Sequence, residues 1–253
     1  GVEPGYTWGD TYEYAWCRTK LTLPEETAGK RIVLNLCPGG ESTVFVNGSV
    51  FGTYRADWVK QPHHFLVDNT LTREAKPGDV FEICMETYAG HFYAEAQDSG
   101  CSTGPVLPGL YRDELAEGAR RTLGEGTYGI WDEDAYQLFM DVETLSSLLK
   151  TLDEDSLRAA RVAEALEQFT RLVDFEQEKE ARSRDYRKAR AMLEPVLSAV
   201  NGSTMPVFSA IGNAHLDLAW LWPMAETYRK TARTFAAQLR LMEEYKDYKF
   251  IQS

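Results

Sequence analysis

Hydrophobic and polar residues alternate with a period of two between Thr11 and about Tyr93. This period predicts β-strands with one buried face, because successive side chains of a strand point to opposite sides. Three segments show this alternation. In the first, Tyr12, Tyr14 and Trp16 alternate with Glu13, Ala15 and Cys17, and in the second the apolar positions are Ile32, Leu34 and Leu36. In the third, Phe81, Ile83 and Met85 alternate with Glu82, Cys84 and Glu86. Asn47-Gly48 between two apolar runs adds a strong hairpin signal. Residues 1–125 are therefore predicted to form an all-β sandwich domain of jelly-roll type.

The period then becomes helical, and residues 126–202 are predicted to form a helical spacer segment. The expected apolar faces are Phe139, Val142, Leu145, Leu149 and Leu152 in a first helix, Leu157, Leu166, Phe169 and Val173 in a second, and Tyr186, Ala189 and Leu193 in a third. Acidic residues from Asp132 to Asp134 suit the start of the first helix, because carboxylates stabilise the positive end of the helix dipole.

Residues 203–253 predict a strand-helix-strand unit, the beginning of an α/β domain. An apolar run from Met205 to Ile211, closed by Gly212, reads as a buried strand, and Pro223 suits the first turn of a helix. That helix is expected to bury Tyr228, Ala232, Phe235, Leu239 and Met242, and to place Arg229, Lys230, Arg233, Arg240 and Glu244 on its other faces. A second strand is expected over residues 248–252.

His215 and Asp217 directly follow the first strand of this unit. In extended backbone, residues i and i+2 project to the same face, and open parallel sheets bind ligands beyond the carboxyl ends of their strands. Imidazole nitrogen and carboxylate oxygen are both zinc ligands. The pair is therefore a candidate for two ligands of one divalent ion. A histidine hydrogen-bonded near an unrelated carboxylate is the competing interpretation of so short a motif.

The run from Gly212 to Pro223 resembles the opening of the catalytic domain of family 38 glycoside hydrolases, the zinc-dependent α-mannosidases. The resemblance continues through Glu226, Lys230, Arg233-Thr234-Phe235 and residues 248–253. The type resembled is the cytosolic or bacterial one, in which a β-sandwich and a helical segment precede the catalytic domain. The resemblance is close over this stretch and looser upstream, and it implies that residues 203–253 are a truncated part of that catalytic domain.

This resemblance implies retaining hydrolysis of terminal α-mannosides of oligosaccharides by the full-length enzyme. It implies that His215 and Asp217 are zinc ligands, that Trp220 helps form the sugar subsite, and that homo-oligomers form. The family's nucleophile, acid/base residue and remaining zinc ligands are expected beyond Ser253, so the sequence assigns no catalytic residue. Retaining hydrolysis needs two carboxyl groups about 5 Å apart. Because Asp217 cannot serve as both, the chain is expected to be inactive alone.

The composition of the chain argues against some kinds of binding partner and favours one cellular compartment. The formal net charge is −12 and the pI is about 4.9, which argues against a nucleic-acid partner or an anionic membrane surface. No stretch approaches the ~20 consecutive apolar residues of a membrane span, and the first residues lack a signal-peptide pattern. The four cysteines, Cys17, Cys37, Cys84 and Cys101, are too scattered for a redox or metal motif, so reduced thiols and a cytoplasmic location are expected.

Two other classes of function stay open at the level of sequence. An autonomous carbohydrate-binding module would carry an exposed aromatic cluster on one face of the sandwich and bind sugar without metal. The candidates for such stacking are Trp8, Trp16, Tyr54, Trp58 and Tyr88, for which packing in the core or at its rim is the simpler interpretation. A structural or oligomerisation module would bind neither sugar nor zinc.

Overall fold

The computed structural model describes residues 1–9, 13–54, 69–89, 121–200, 202, 206–218 and 224–252. Within them the chain forms two compact units, one of Gly1–Trp131 with Ser209–Ser253 and one of Asp132–Phe208. The protein mixes helices with largely antiparallel sheets, as expected. The division into domains at residues 125 and 202 stays a prediction.

The described strands, in chain order, are Thr7–Trp8 (β1), Tyr14–Thr22 (β2), Ile32–Asn35 (β3), Glu41–Val46 (β4), Ser49–Tyr54 (β5), Thr70–Thr72 (β6), Val80–Tyr88 (β7), Arg121–Thr122 (β8), Thr127–Ile130 (β9), Gly212–Ala214 (β10) and Phe250–Gln252 (β11). The α-helices are Glu133–Leu149 (α1), Leu157–Leu172 (α2), Lys179–Leu197 (α3) and Met224–Glu244 (α4). The predicted hairpin is confirmed, since Asn47 and Gly48 join β4 to β5 with positive φ angles of 50° and 80°.

Two antiparallel sheets of the first unit share one hydrophobic core. One sheet has the strand order β2-β7-β4-β5 and the other β6-β3-β9. Leu34 and Leu36, from β3 and its end, pack with Val44, Phe51, Tyr54, Ile83 and Met85 of the four-stranded sheet. The alternation predicted for β3 and β7 is therefore confirmed, because their apolar residues line the space between two sheets. The jelly-roll connection stays a prediction.

The aromatic residues of β2 lie on the outer face of the four-stranded sheet. Tyr14 pairs across the ladder with Tyr88, and Trp16 pairs with Glu86, on the side opposite to the core residue Met85. Trp16 is 57 % exposed. The core side of β2 is formed instead by smaller residues such as Cys17.

Helices α1, α2 and α3 build the second unit around a core of their own. Its buried residues are Leu138, Leu145, Val162, Ala165, Val173, Tyr186, Ala189 and Leu193. The face predicted for α3 is confirmed. In α1 and α2 the other predicted residues also lie in this core or pack against it, but Phe139 and Leu157 are exposed, and Leu138 is buried in α1.

The strand-helix-strand unit is present, with its first strand later than predicted. β10 pairs in parallel with β11, and α4 connects them. The prediction that the preceding apolar run forms a buried strand is wrong for its described part, because Val207 and Phe208 are exposed and lie outside any strand. Pairing begins at Gly212, whose N–H donates to the Lys249 carbonyl at 2.9 Å.

Helix α4 is present as predicted, but its orientation is the reverse of the prediction. All five residues of the expected buried face, Tyr228, Ala232, Phe235, Leu239 and Met242, are exposed. The buried residues are Glu226 and Arg233. The reason is the surface on which α4 packs, the outer face of the four-stranded sheet. There the carboxylates of Glu86 and Glu41 accept hydrogen bonds from Arg229 and Lys230 of the helix. No described helix is long and apolar enough to cross a membrane.

Candidate metal-binding loop

The parallel strand pair β10 and β11 positions the candidate metal ligands. His215 is the first residue after β10, and Asp217 follows two residues later. Gly212 allows this strand to pass close to Tyr248, since a Cβ at residue 212 would lie 2.2 Å from the Tyr248 hydroxyl. That hydroxyl donates to Gln238 Oε1 of α4 at 2.6 Å, which ties the strand pair to the helix.

The structure brings His215 and Asp217 together as predicted from their spacing. His215 Nε2 and Asp217 Oδ1 lie 3.3 Å apart. Their side chains are 74 % and 39 % exposed, so the imidazole nitrogen and the carboxylate oxygen are open to solvent at the carboxyl end of a parallel strand. One side-chain pair can therefore present a nitrogen and an oxygen ligand to the same ion.

The backbone on both sides of this pair is held by side chains from neighbouring elements. Gln252 of β11 donates its amide to the carbonyl of Ala214 at 2.7 Å. The Thr227 hydroxyl, in the first turn of α4, donates to the carbonyl of Leu218. We refer to residues 215–217, between these two held carbonyls, as the His215–Asp217 loop.

The donor chemistry of the loop fits zinc in part. One imidazole and one carboxylate match the nitrogen and oxygen ligands that zinc accepts, and a catalytic zinc site has three protein ligands with an open position. Within the described part of the chain, no third His, Cys, Asp or Glu completes such a group. The loop thus offers two candidate ligands, one short of the three protein ligands of a catalytic zinc site.

Trp220, the predicted contributor to a sugar subsite, lies outside the described residues. Of the aromatic residues considered for sugar stacking, Trp58 also lies outside them, and Tyr54 and Tyr88 are buried. Trp16 is exposed, and its ring stacks against Phe45 with centroids 6.0 Å apart. In the described part of the outer face of the four-stranded sheet, an exposed Trp16 therefore stacks on a half-buried Phe45.

A buried polar interface between α4 and the four-stranded sheet was not predicted from the sequence. Glu226 is completely buried, and its two oxygens accept hydrogen bonds from the Tyr14 hydroxyl, at 2.8 Å, and from Arg233. Arg233 also donates to Glu41 at 3.1 Å, and the same carboxylate accepts from Lys230 at 2.8 Å. Because every one of these charges has a partner of opposite sign, their burial is compensated.

Arg229 extends this interface towards β7. Its Nε donates to Glu86 Oε1 at 2.9 Å, and its guanidinium lies 4.1 Å from the centroid of the Tyr14 ring. The hydrogen bond to Glu86 raises the pKa of Arg229, and burial followed by the hydrogen bond to Glu226 raises the pKa of Tyr14. Tyr14 therefore stays protonated and donates to Glu226 well into alkaline pH.

One pattern in the sequence marks the helix face that forms this interface, although it does not reveal the partner. Glu226, Arg233 and Arg240 recur every seven residues, and Arg229 and Lys230 fall between the first two, so all of them share one face of a helix. A charged stripe of this kind usually indicates a solvated face. Here it is packed against the sheet, because Glu41 of β4 and Glu86 of β7 accept hydrogen bonds from its cations.

Comparison with known proteins supports the resemblance. Residues 205–253 match the N-terminal domain of family 38 glycosyl hydrolases, the segment that contains the His215–Asp217 loop and α4. Among solved structures, a β-glucuronidase from Ruminococcus gnavus is similar over 47 % of this chain and 19 % of its own, with 18 % identity and a TM-score of 0.29. At that score the likeness carries no conclusion.

Curated relatives extend the match beyond the loop. The mouse protein named alpha-mannosidase 2C1 is 24 % identical over 98 % of this chain, which spans 22 % of that protein. An alpha-mannosidase of Saccharomyces cerevisiae is 30 % identical over 49 % of this chain and 12 % of its own length. The chain thus spans about a fifth of the length of the mouse relative. The family match over residues 205–253 and these alignments together show a chain that is similar to part of the family 38 α-mannosidases.

Proposed function

We propose that the chain supplies the first strand-helix-strand unit of the catalytic domain of a zinc-dependent, retaining α-mannosidase that removes terminal α-mannosides from glycans. The observation that carries the proposal is the convergence of His215 and Asp217 beyond the carboxyl end of a parallel strand, inside the segment that matches family 38. The names of the aligned relatives, all α-mannosidases, supply the substrate class. A cytoplasmic location and homo-oligomers are parts of the same proposal.

In this proposal His215 contributes a ring nitrogen and Asp217 a carboxylate oxygen to zinc, and Trp220 contributes an apolar face to the sugar. Zinc, when bound, supplies a Lewis acid that holds sugar hydroxyls. The chain's own part is to orient these two ligands, through the hydrogen bonds that hold Ala214 and Leu218. Both ligand side chains are accessible, which suits a site that must admit a polar substrate.

The same proposal holds that the chain has no activity alone. Retaining hydrolysis uses two carboxyl groups about 5 Å apart, and Asp217 is assigned to the metal. The exposed apolar face of α4, from Tyr228 to Met242, supports the existence of a further layer of the domain, because exposed apolar patches of this kind mark surfaces that another element covers. We propose that the remaining catalytic domain covers this face and brings the other ligands.

The test compares this chain with a protein that continues it over the length of its relatives. Zinc content by atomic emission and hydrolysis of an aryl α-mannoside are measured for both. We expect stoichiometric zinc and turnover in the longer protein alone. In that protein, His215→Ala and Asp217→Ala should each lose the metal and reduce kcat/KM by at least about 100-fold, since loss of a metal ligand removes the Lewis acid.

The matched control is Asp247→Ala, which removes a carboxylate from the turn after α4 and should leave zinc and turnover unchanged. Zinc and turnover retained in both ligand variants would refute the assignment. A longer protein that binds mannose oligosaccharide in the presence of a chelator, and loses that binding in Trp16→Ala, would instead favour the carbohydrate-binding module on the outer face of the sheet.

A further inference from the structure

The first turn of α4 holds two adjacent residues whose side chains point to different parts of the protein. Glu226 reaches the sheet: it is completely buried, accepts a hydrogen bond from the Tyr14 hydroxyl of β2 at 2.8 Å, and is joined through Arg233 to Glu41 of β4. Thr227 points to another side of the helix and donates its hydroxyl to the carbonyl of Leu218, one residue after Asp217.

Two hydrogen bonds, joined through the backbone of the first turn of α4, connect the sandwich sheet to the His215–Asp217 loop. Tyr14 lies 212 residues from Glu226 in sequence, and the two are within hydrogen-bond distance. Glu226 and Thr227 are neighbours in a helical turn, so they move as one body. Thr227 then fixes the carbonyl that closes the loop, while Gln252 fixes the carbonyl of Ala214 that opens it.

We propose that the start of α4 is a clamp, formed by Glu226 and Thr227, through which the sheet of the sandwich positions the two metal-ligand candidates. Glu226 fixes the helix to the sheet, and Thr227 fixes the loop to the helix. Both are positioning residues, because neither reaches the candidate ligands directly. The inference rests on the proposed function for what the loop binds, and the mechanical link from sheet to loop is independent of it.

The hydrogen bonds of the buried Glu226 are better suited to fixing the orientation of α4 than to stabilising the fold alone. Apolar residues of similar volume often stabilise a buried interface as well as an ion pair does. The Glu226 carboxylate has a narrow range of allowed orientations, because one oxygen is bonded to Tyr14 of β2 and the other to Arg233 of α4, and each hydrogen bond is directional. The buried Glu226 thereby fixes the rotation of the first turn, and with it the direction in which Thr227 points.

Thr227→Val tests the link from helix to loop. The substitution keeps the shape of the side chain and removes its hydroxyl. Amide hydrogen exchange of residues 212–218 in this chain should become about fivefold faster, the factor that corresponds to one hydrogen bond. Thr227→Ser, which restores a hydroxyl, should restore the exchange rate. The matched control is Thr231→Val, which loses a hydroxyl bonded within α4 to the Thr227 carbonyl at 2.8 Å.

Tyr14→Phe tests the link from sheet to helix without removing a buried charge. It deletes only the hydroxyl that donates to Glu226, and residues 212–218 should again exchange several-fold faster although the change lies in β2. Tyr54→Phe is the control, because that hydroxyl bonds Asn35 inside the sandwich at 2.5 Å. Unchanged exchange in Thr227→Val, or equal acceleration in Thr227→Val and Thr231→Val, would overturn the clamp.

Metal affinity separates the clamp from the proposed function. In the longer protein, the dissociation constant for Co²⁺, followed by its visible absorption, should rise about tenfold in Thr227→Val, as for other residues that orient metal ligands. If His215→Ala leaves Co²⁺ binding intact, the proposed function fails, and the exchange data still decide the clamp. If His215→Ala abolishes Co²⁺ binding while Thr227→Val alters neither affinity nor exchange, the clamp fails and the proposed function stands.

Discussion

Gly40 shows how one residue fixes the edge at which β4 begins. A Cβ at this position would lie 2.3 Å from the carbonyl oxygen of Tyr88 and 3.0 Å from Cγ2 of Thr87. Both neighbours belong to β7, the strand that pairs with β4, so neither can move away without breaking the ladder. Gly40→Ala should therefore lower the free energy of unfolding of the sandwich unit by about 2 kcal/mol, the usual cost of overpacking. Urea titration followed by tryptophan fluorescence measures the change.

Gly126→Ala is the control for this prediction. The nearest atom to a Cβ there is the Asn35 oxygen at 3.9 Å, an ordinary contact distance. We expect its unfolding free energy to stay within about 0.5 kcal/mol of the parent protein, as for substitutions away from packed features. Equal losses in the two variants would show that the strand edge does not constrain Gly40.

The sequence predicts contacts between residues that are close along the chain, and it does not predict contacts between residues that are distant along the chain. His215 and Asp217 stand two residues apart, so their approach to 3.3 Å needs no contact between distant parts of the chain. Glu226 and Glu41 are joined through Arg233, which lies 192 residues from Glu41. Nothing in the local pattern around Glu226 reveals that a carboxylate from β4 and a hydroxyl from β2 complete its surroundings.

At the scale of elements, the period along the chain predicts which elements form, but the partner surface decides which face they bury. Strands β3 and β7 bury the expected residues because an apolar sheet faces them. Helix α4 has an equally clear apolar stripe, but its charged stripe is the one that packs on the sheet, since the outer face of that sheet is polar. Orientation is thus a property of two elements together and could not be derived from one.

The interface of α4 with the sheet predicts an alkaline limit to stability. Burial raises the folded-state pKa of Tyr14 and of Tyr54 above the unfolded value near 10. Their protonated forms therefore contribute stability that is fully present below about pH 10 and is lost as the pH rises through the higher folded values. The free energy of unfolding should fall between pH 10 and pH 12, as measured by urea titration at fixed pH steps.

Tyr14→Phe should make this alkaline slope shallower, because it removes one of these two phenol groups. Tyr54→Phe should do the same through the other group, and the double variant should be shallower than either single one. An alkaline slope that is unchanged in Tyr14→Phe would show that its hydroxyl is not held protonated at the interface with Glu226.

At the scale of the whole molecule, a high negative charge and an exposed apolar face oppose each other. The chain carries a formal net charge of −12, which keeps copies apart at low ionic strength. The apolar face of α4, with Tyr228 75 % and Leu239 60 % exposed, favours association because contact removes it from water. The Debye length, over which charges repel one another, is about 30 Å at 0.01 M salt and about 3 Å at 1 M salt. The salt concentration therefore decides whether charge repulsion or apolar attraction dominates.

Self-association of this chain should therefore increase with salt. Sedimentation velocity at 0.01 M and 0.5 M NaCl should show a larger share of dimers and higher species at the higher concentration, because screening removes the repulsion and leaves the apolar attraction. Leu239→Glu, which places a charge in the middle of the apolar face of α4, should abolish most of this increase. Leu157→Glu is the matched control, since Leu157 is similarly exposed, at 68 %, but lies on α2, and this variant should associate like the parent chain. Association that falls with salt, or that is suppressed equally by both substitutions, would show that the apolar face of α4 does not drive it.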